Sequence, residues 1–220
     1  MNYLAHAWPI LRDPAPDPYE LAGVAVPDWL GVAARRTKCR SKMAAPLARD
    51  SDPRVAAIAR GVVRHHADDA WFHESRAFNE LSLRFAKRLR DSLAEGSGMR
   101  PWFLGHILVE MLLDDELSRQ EPGLLDRYYK LIAQAEAQVV ANAVERMCGK
   151  QVERLAEWIV RFAEVRFLLD YATDEGLTLR LNQVMARVRL PALPERFGEE
   201  LPALRRDVSE NFNALITPSA

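Results

Sequence analysis

Two short stretches of the chain concentrate the side chains that bind metals and move protons. Arg64-His65-His66-Ala67-Asp68-Asp69-Ala70-Trp71-Phe72-His73 holds three of the five histidines, with two aspartates between them. Gly105-His106-Ile107-Leu108-Val109-Glu110-Met111-Leu112-Leu113-Asp114-Asp115 holds a fourth histidine, followed by three carboxylates. A helix turns about 100° per residue, so side chains four apart lie nearly above one another. His65, Asp69 and His73 are spaced in this way, and so are His106, Glu110 and Asp114. Each trio forms a drifting stripe on one helix. The chemistry expected of two such stripes is shared coordination of divalent metal.

The surrounding residues argue that the stripes face inward. On the first helix Ile58, Val62, His65, Asp69 and Phe72 share one side, with His73 at its edge, while Arg60, Arg64 and Asp68 lie opposite. His66 falls on the flank, and His66 and Asp68 are expected to act as outer partners or surface residues. The second stripe runs among Trp102, Phe103, Leu104, Ile107, Leu108, Val109, Met111, Leu112 and Leu113, which predicts burial all round. Asp115 and Glu116 are expected to face solvent. Ionisable groups carried into an interior must pair with one another or bind a cation, because burying them alone costs roughly several kcal/mol each.

Imidazole and carboxylate donors without thiolate suit zinc, manganese or iron. His65, Asp69, His73, His106, Glu110 and Asp114, with His6 and Asp28 as further candidates, exceed what one tetrahedral ion needs and would suit one or two ions. Two ions together activate a water and clamp the attacking and leaving oxygens of a phosphoester. The pattern lacks the His-Glu-x-x-His of metalloproteases, since Ile107 follows His106. It also lacks the paired Glu-x-x-His motifs of ferritin-like di-iron bundles.

The remaining chain must position these residues. Residues 1–12 are apolar around His6, and Pro14, Pro16 and Pro18 make 13–18 irregular. A helix over 19–33 is expected to break at Pro27, with Asp28 either a helix cap or an inward ligand. Residues 34–43 turn basic through Arg35, Arg36, Lys38, Arg40 and Lys42, a solvated loop that could hold phosphate. Asp52-Pro53 is a cap and first-turn pair for the His65 helix, which should run to about Glu74. Helices follow over 76–94, closed by Gly96-Ser97-Gly98, and from Pro101 to Glu121-Pro122-Gly123. Others are expected over 124–147, 150–172, 176–189 and 196–213. No period-2 strand pattern and no repeat occurs, so the expected fold is all-α, one 1–220 domain with a metal-site core over 1–120 and 124–220 packed on it.

The formal net charge is −1, so no global field favours nucleic acid or an anionic membrane. Cys39 and Cys148 lie far apart in the chain without a Cys-x-x-Cys partner, which argues against a disulfide and for a reducing compartment. The opening residues show no basic run followed by an apolar one, and no stretch is apolar enough to span a bilayer. A cytoplasmic protein is expected.

Several of these segments resemble the acyl carrier protein phosphodiesterases, helical metal-dependent hydrolases related to the HD-domain superfamily. Met1-Asn2-Tyr3-Leu4-Ala5-His6 is similar to that family's start. Ala22-Gly23-Val24-Ala25-Val26-Pro27-Asp28-Trp29-Leu30-Gly31 is similar to its apolar helix ending in aspartate. His65-x₃-Asp69 and Leu112-Leu113-Asp114-Asp115-Glu116-Leu117-Ser118 are similar to its later motifs, although Asp115 stands where the family has a histidine. The resemblance covers roughly residues 1–120. It implies a compact HD-like helical bundle and makes His6, Asp28, His65, Asp69 and Asp114 metal-site candidates. It also implies a phosphoester substrate, with an acyl carrier protein as partner. His106 and Glu110 lie outside its pattern and compare better with zinc-dependent phospholipase C-like helical proteins.

The function expected is a metal-dependent phosphohydrolase using metal-activated water. Asp69 and Glu110 are the candidate catalytic carboxylates, Glu110 as a proton relay. Arg35, Arg36, Lys38 and Arg40 are the candidate phosphate-binding residues, with Lys130, Arg161 and Arg166 as substitutes. The rival expectations are a di-iron oxygenase on the same scaffold, and a non-catalytic interaction module around a buried polar or structural-zinc cluster.

Overall fold

A computed structural model describes residues 1–92 and 98–217. The chain is all-α, with no strand among the described residues. Its helices are α1 (Tyr3–Leu11), α2 (Pro18–Ala33), α3 (Ser41–Ala44), α4 (Pro53–Glu74), α5 (Arg76–Ser92) and α6 (Pro101–Gln120). They continue with α7 (Leu124–Ile132), α8 (Ala137–Cys148), α9 (Leu155–Val165), α10 (Asp174–Arg187) and α11 (Leu201–Ile216). Among the described residues no helix is long and apolar enough to cross a membrane.

The chain forms two compact units, Met1–Ala70 with Pro122–Arg166, and Trp71–Glu121 with Phe167–Ala220. Each unit combines segments from both halves of the chain. Helix α4 begins in the first unit and ends in the second.

In the first unit α2 packs on α1, α7, α8 and α9. Asp17 starts α2 by accepting from the backbone N–H groups of Tyr19 (2.8 Å) and Glu20 (3.3 Å), with Pro18 in the first turn. The expected break at Pro27 does not occur. Proline costs the helix one hydrogen bond to the Gly23 carbonyl, but Leu21–Val26, Trp29 and Leu30 are all buried and hold both sides of it in place. Asp28 therefore lies within a helix and has no capping role. Asp52 accepts from Arg54 N at 2.9 Å and starts α4 as expected. Ile58, Val62 and Phe72 are fully buried along its inward stripe.

The crossing of α2 and α4 needs glycine on both sides. A Cβ at Gly61 would stand 2.3 Å from the Glu20 carbonyl oxygen, and one at Gly23 would stand 2.3 Å from that of Ile58. This close approach brings the α2 backbone within reach of His65, one turn beyond Gly61.

The long helix expected over 124–147 is two helices, because the chain turns at 133–136 between α7 and α8. The stretch over 150–172 is also divided, into α9 and a 3₁₀ turn over Phe167–Ala172. Both breaks lack a proline or glycine inside the turn, so no punctuation marks them in the sequence. The two cysteines, 109 positions apart, are neighbours in space: the Cys148 thiol and burial push the Cys39 pKa up, and Cys39 Sγ donates to Met147 Sδ at 3.6 Å. Cys148 Sγ also lies 3.9 Å from the Lys38 carbonyl. Both are free thiols, and their sequence separation was a poor guide to their proximity.

In the second unit α6 packs on α5 and α11. A Cβ at Gly105 would stand 2.5 Å from the Ser82 carbonyl oxygen, so this crossing too depends on a missing side chain. Pro101 opens α6 as expected, and Gly123 follows it with φ of 83°. Of the expected close of the preceding helix, Gly96 and Ser97 lie outside the described residues. Asp115 and Glu116, expected in solvent, are buried at 4% and 8% exposure. Arg205 pairs with Asp115, and Arg119 Nε lies 2.8 Å from it. Glu116 Oε1 accepts from Gln120 Nε2 (2.6 Å) and Ser209 Oγ (2.9 Å). Helix α11 supplies partners that periodicity on α6 alone does not reveal.

Candidate metal centre

The expected ligands gather into two groups. His6, His65 and Asp69 each offer a donor atom within 4.8 Å of the others' in the first unit, and His73, His106 and Glu110 do the same in the second. Asp114, buried on α6, and Asp28, on α2, belong to neither group. Glu110, the expected proton relay, stands with His73 and His106 rather than with Asp69.

The first group is built by three helices. His65 is 3% exposed and His6 is 1% exposed, and their rings stack with centroids 4.1 Å apart. His65 Nδ1–H donates to the Val24 carbonyl at 2.8 Å, a bond made possible by the glycine crossing. That bond holds the ring with Nε2 turned to the carboxylate side, 3.3 Å from Asp69 Oδ2. His6 Nδ1–H donates to Asp68 Oδ2 at 3.4 Å, and its Nε2 lies 3.2 Å from Asp69 Oδ1. A metal-binding imidazole almost always has its second nitrogen held in this way, by a carbonyl or a carboxylate. Asp68 is therefore an orienting partner of His6, reached from the side of α4 opposite to the inward stripe.

Two polar atoms here have no hydrogen-bond partner among the described residues: His6 Nε2 and Asp28 Oδ2, both sealed from solvent. Each such atom costs about 1–3 kcal/mol when left unpaired. The fields of His65 and His6 act on Asp28 to lower its pKa, but burial prevails and holds it above the usual carboxylate range. Burial acts to raise Asp69, yet the adjoining imidazoles of His6 and His65 and the positive amino group of Met1, 2.8 Å from Oδ1, hold it far below. Burial lowers the His6 pKa, and Asp68 and Asp69 more than reverse that. The pocket thus favours positive charge at its centre. Two imidazoles and the Asp69 carboxylate, with the His6 Nε2 atom sealed and unpartnered, fit a divalent ion.

Arg35, Arg36, Lys38 and Arg40 are exposed in the same unit. Their loop is tied to the site helix by His66, whose Nε2–H donates to the Cys39 carbonyl at 2.8 Å. His66 thus anchors the loop next to His65. Lys130 and Arg161 are exposed, while Arg166 is paired with Asp126. Two structural partners, Asp68 and the Val24 carbonyl, were not singled out as necessary from spacing, since both act across tertiary contacts. No protein-family model, curated protein or solved structure matches the chain.

Proposed function

We propose that the first unit is a metal-dependent phosphohydrolase of HD-like type, with His6, His65 and Asp69 holding a divalent manganese, iron or zinc ion and Asp28 as a further buried carboxylate acting on them. The observation that carries this reading is the convergence of two buried, oriented imidazoles on Asp69. A divalent ion bound there supplies a water acidified towards neutral pH and charge to offset a phosphoryl oxygen. The chain's own residues do the rest. The Val24 carbonyl and Asp68 keep the two imidazoles turned with Nε2 inward. The buried walls keep bulk water from the donor atoms. Asp69, held ionised, supplies the negative charge that the ion needs. Arg35, Arg36, Lys38 and Arg40 attract and position the phosphate of the substrate. The resemblance of the His6, Asp28 and His65-x₃-Asp69 segments to acyl carrier protein phosphodiesterases supports a cytoplasmic phosphodiester substrate, with an acyl carrier protein as the first macromolecular partner to try.

Hydrolysis of bis-p-nitrophenyl phosphate with added Mn²⁺, Fe²⁺ or Zn²⁺ tests the reading. Metal-dependent release of nitrophenolate by the wild type, lost in a folded His65→Ala variant, is expected. Equal rates in the two proteins, or no hydrolysis of this or a monoester substrate with any of the three ions, would overturn it.

A further inference from the structure

The second unit carries a histidine–carboxylate group that the proposed phosphohydrolase centre does not use. His73 lies at the end of α4, and His106 and Glu110 lie one turn apart on α6. Phe78 on α5 packs against both imidazoles, with ring centroids 5.0 Å from His73 and 4.9 Å from His106. Phe72 backs Phe78 at 4.6 Å, and Asn79 Nδ2 donates to the His73 carbonyl at 2.8 Å. The glycine crossing at Gly105 sets the depth at which α6 meets α5, and hence the height of His106 beside Phe78. Two rings held 4.8 Å apart by a shared aromatic wall are positioned side chains rather than free ones.

The donor geometry suits one ion. His73 Nε2 lies 3.0 Å and His106 Nε2 lies 3.4 Å from the same atom, Glu110 Oε1. Two donors placed about 2.1 Å from a tetrahedral ion stand roughly 3.4 Å apart, so the separations present already approach the edges of such a polyhedron. The side chains of His73 and His106 keep 35% and 25% of their surface, which leaves an approach for solvent. Trp102, 63% exposed, lies 5.9 Å from the His106 ring. Three protein donors with an open side are the arrangement of a metal site that retains a position for an outside ligand, whereas structural zinc sites are closed by four.

We infer that His73, His106 and Glu110 form a second metal site, sharing no residue with the first, that binds a Zn²⁺-class ion through two imidazoles and one carboxylate and leaves a coordination position open to solvent.

The test is binding of Zn²⁺ and Co²⁺ to the His65→Ala protein, in which the first site is disabled, so that the readout does not depend on phosphoesterase activity. One equivalent of metal is expected by mass spectrometry after desalting, with visible d–d absorption for Co²⁺. The equivalent and the bands should disappear in His65→Ala/His106→Ala and in His65→Ala/Glu110→Gln. If the His106 variant fails to fold by far-ultraviolet circular dichroism, His65→Ala/His73→Gln, altered at the more exposed imidazole, carries the same expectation. A His65→Ala protein that binds no metal, or double variants that bind as much as their parent, would overturn the inference and leave a hydrogen-bonded polar cluster. Loss of phosphoesterase activity in His65→Ala concerns the first site alone.

Discussion

His6 and His65 in the first unit are buried, and each has its Nδ1 hydrogen-bonded, to Asp68 and to the Val24 carbonyl. His73 and His106 in the second unit are half-buried, and the bonds they make run through Nε2 to Glu110. The donor types are the same: two imidazoles and a carboxylate. The surroundings differ, and the surroundings set how much rearrangement an ion must cause. In the first unit Nδ1 of each ring is already held, and the sealed His6 Nε2 and Asp28 Oδ2 have no hydrogen-bond partner among the described residues. In the second the rings are placed by aromatic packing and by their contacts with Glu110. The ligand list alone would rank the two sites as equals, while the outer partners predict a tight first site and an exchangeable second one.

The largest effect expected from this comparison is the selective loss of the first site. His65→Ala should remove its ion and reduce phosphoesterase turnover to background, while His106→Ala leaves turnover within a few fold. Equal losses from the two substitutions, measured by initial rates on bis-p-nitrophenyl phosphate, would break the distinction between the units. The next effect sharpens it. Asp68→Asn keeps the size of the side chain but weakens its hold on His6 Nδ1–H, and should lower metal affinity at the first site by roughly 10–100-fold. Competition with a chromogenic chelator reads this directly, and binding at the second site should not move. An unchanged affinity would show that the orienting carboxylate is irrelevant.

Smaller effects test the scaffolds. Gly61→Val should destabilise the protein by about 1–3 kcal/mol, because its Cβ would meet the Glu20 carbonyl oxygen. Gly105→Val should act similarly through Ser82. Urea unfolding would measure both, and metal titration of the folded fraction should show each substitution weakening the site of its own unit first. The smallest effect is expected at the rim. Arg36→Ala with Lys38→Ala should raise KM by roughly two- to fivefold, as exposed charges contribute little, with kcat retained. A fall in kcat instead would place these side chains at the reacting phosphoryl group.

Much of α4 was legible before the structure: the Asp52 cap, the proline start, and the inward run of Ile58, Val62, His65 and Phe72 all follow from local rules. So did the proline start of α6 and the all-α class. Tertiary partners were not legible. His73 lies about 80° round the helix from His65 after eight residues, enough for it to meet other neighbours, and periodicity cannot say which neighbours cover a given face. The expectation of one shared site rested on that missing knowledge. Spacing left Asp68 as either an outer partner or a surface residue, because its partner, His6, is 62 positions away. Asp115 and Glu116 looked solvent-facing because Arg205 and Ser209 come from α11. Cys39 and Cys148 show the same limit, since distance along a chain says nothing of distance across a fold. Pro27 shows another, in which packing on α2 outweighs a local helix-breaking preference.

Metal content per chain, measured by mass spectrometry on untagged protein after incubation with Mn²⁺, Fe²⁺ or Zn²⁺ and brief desalting, tests the central claim most directly when His65→Ala is measured beside the wild type. The account predicts one equivalent fewer in His65→Ala than in the wild type, with the missing ion being the one that resists a chelator wash. Wild-type protein that holds no metal under any of these conditions, or a variant that holds as much tightly bound metal as the wild type, would contradict it.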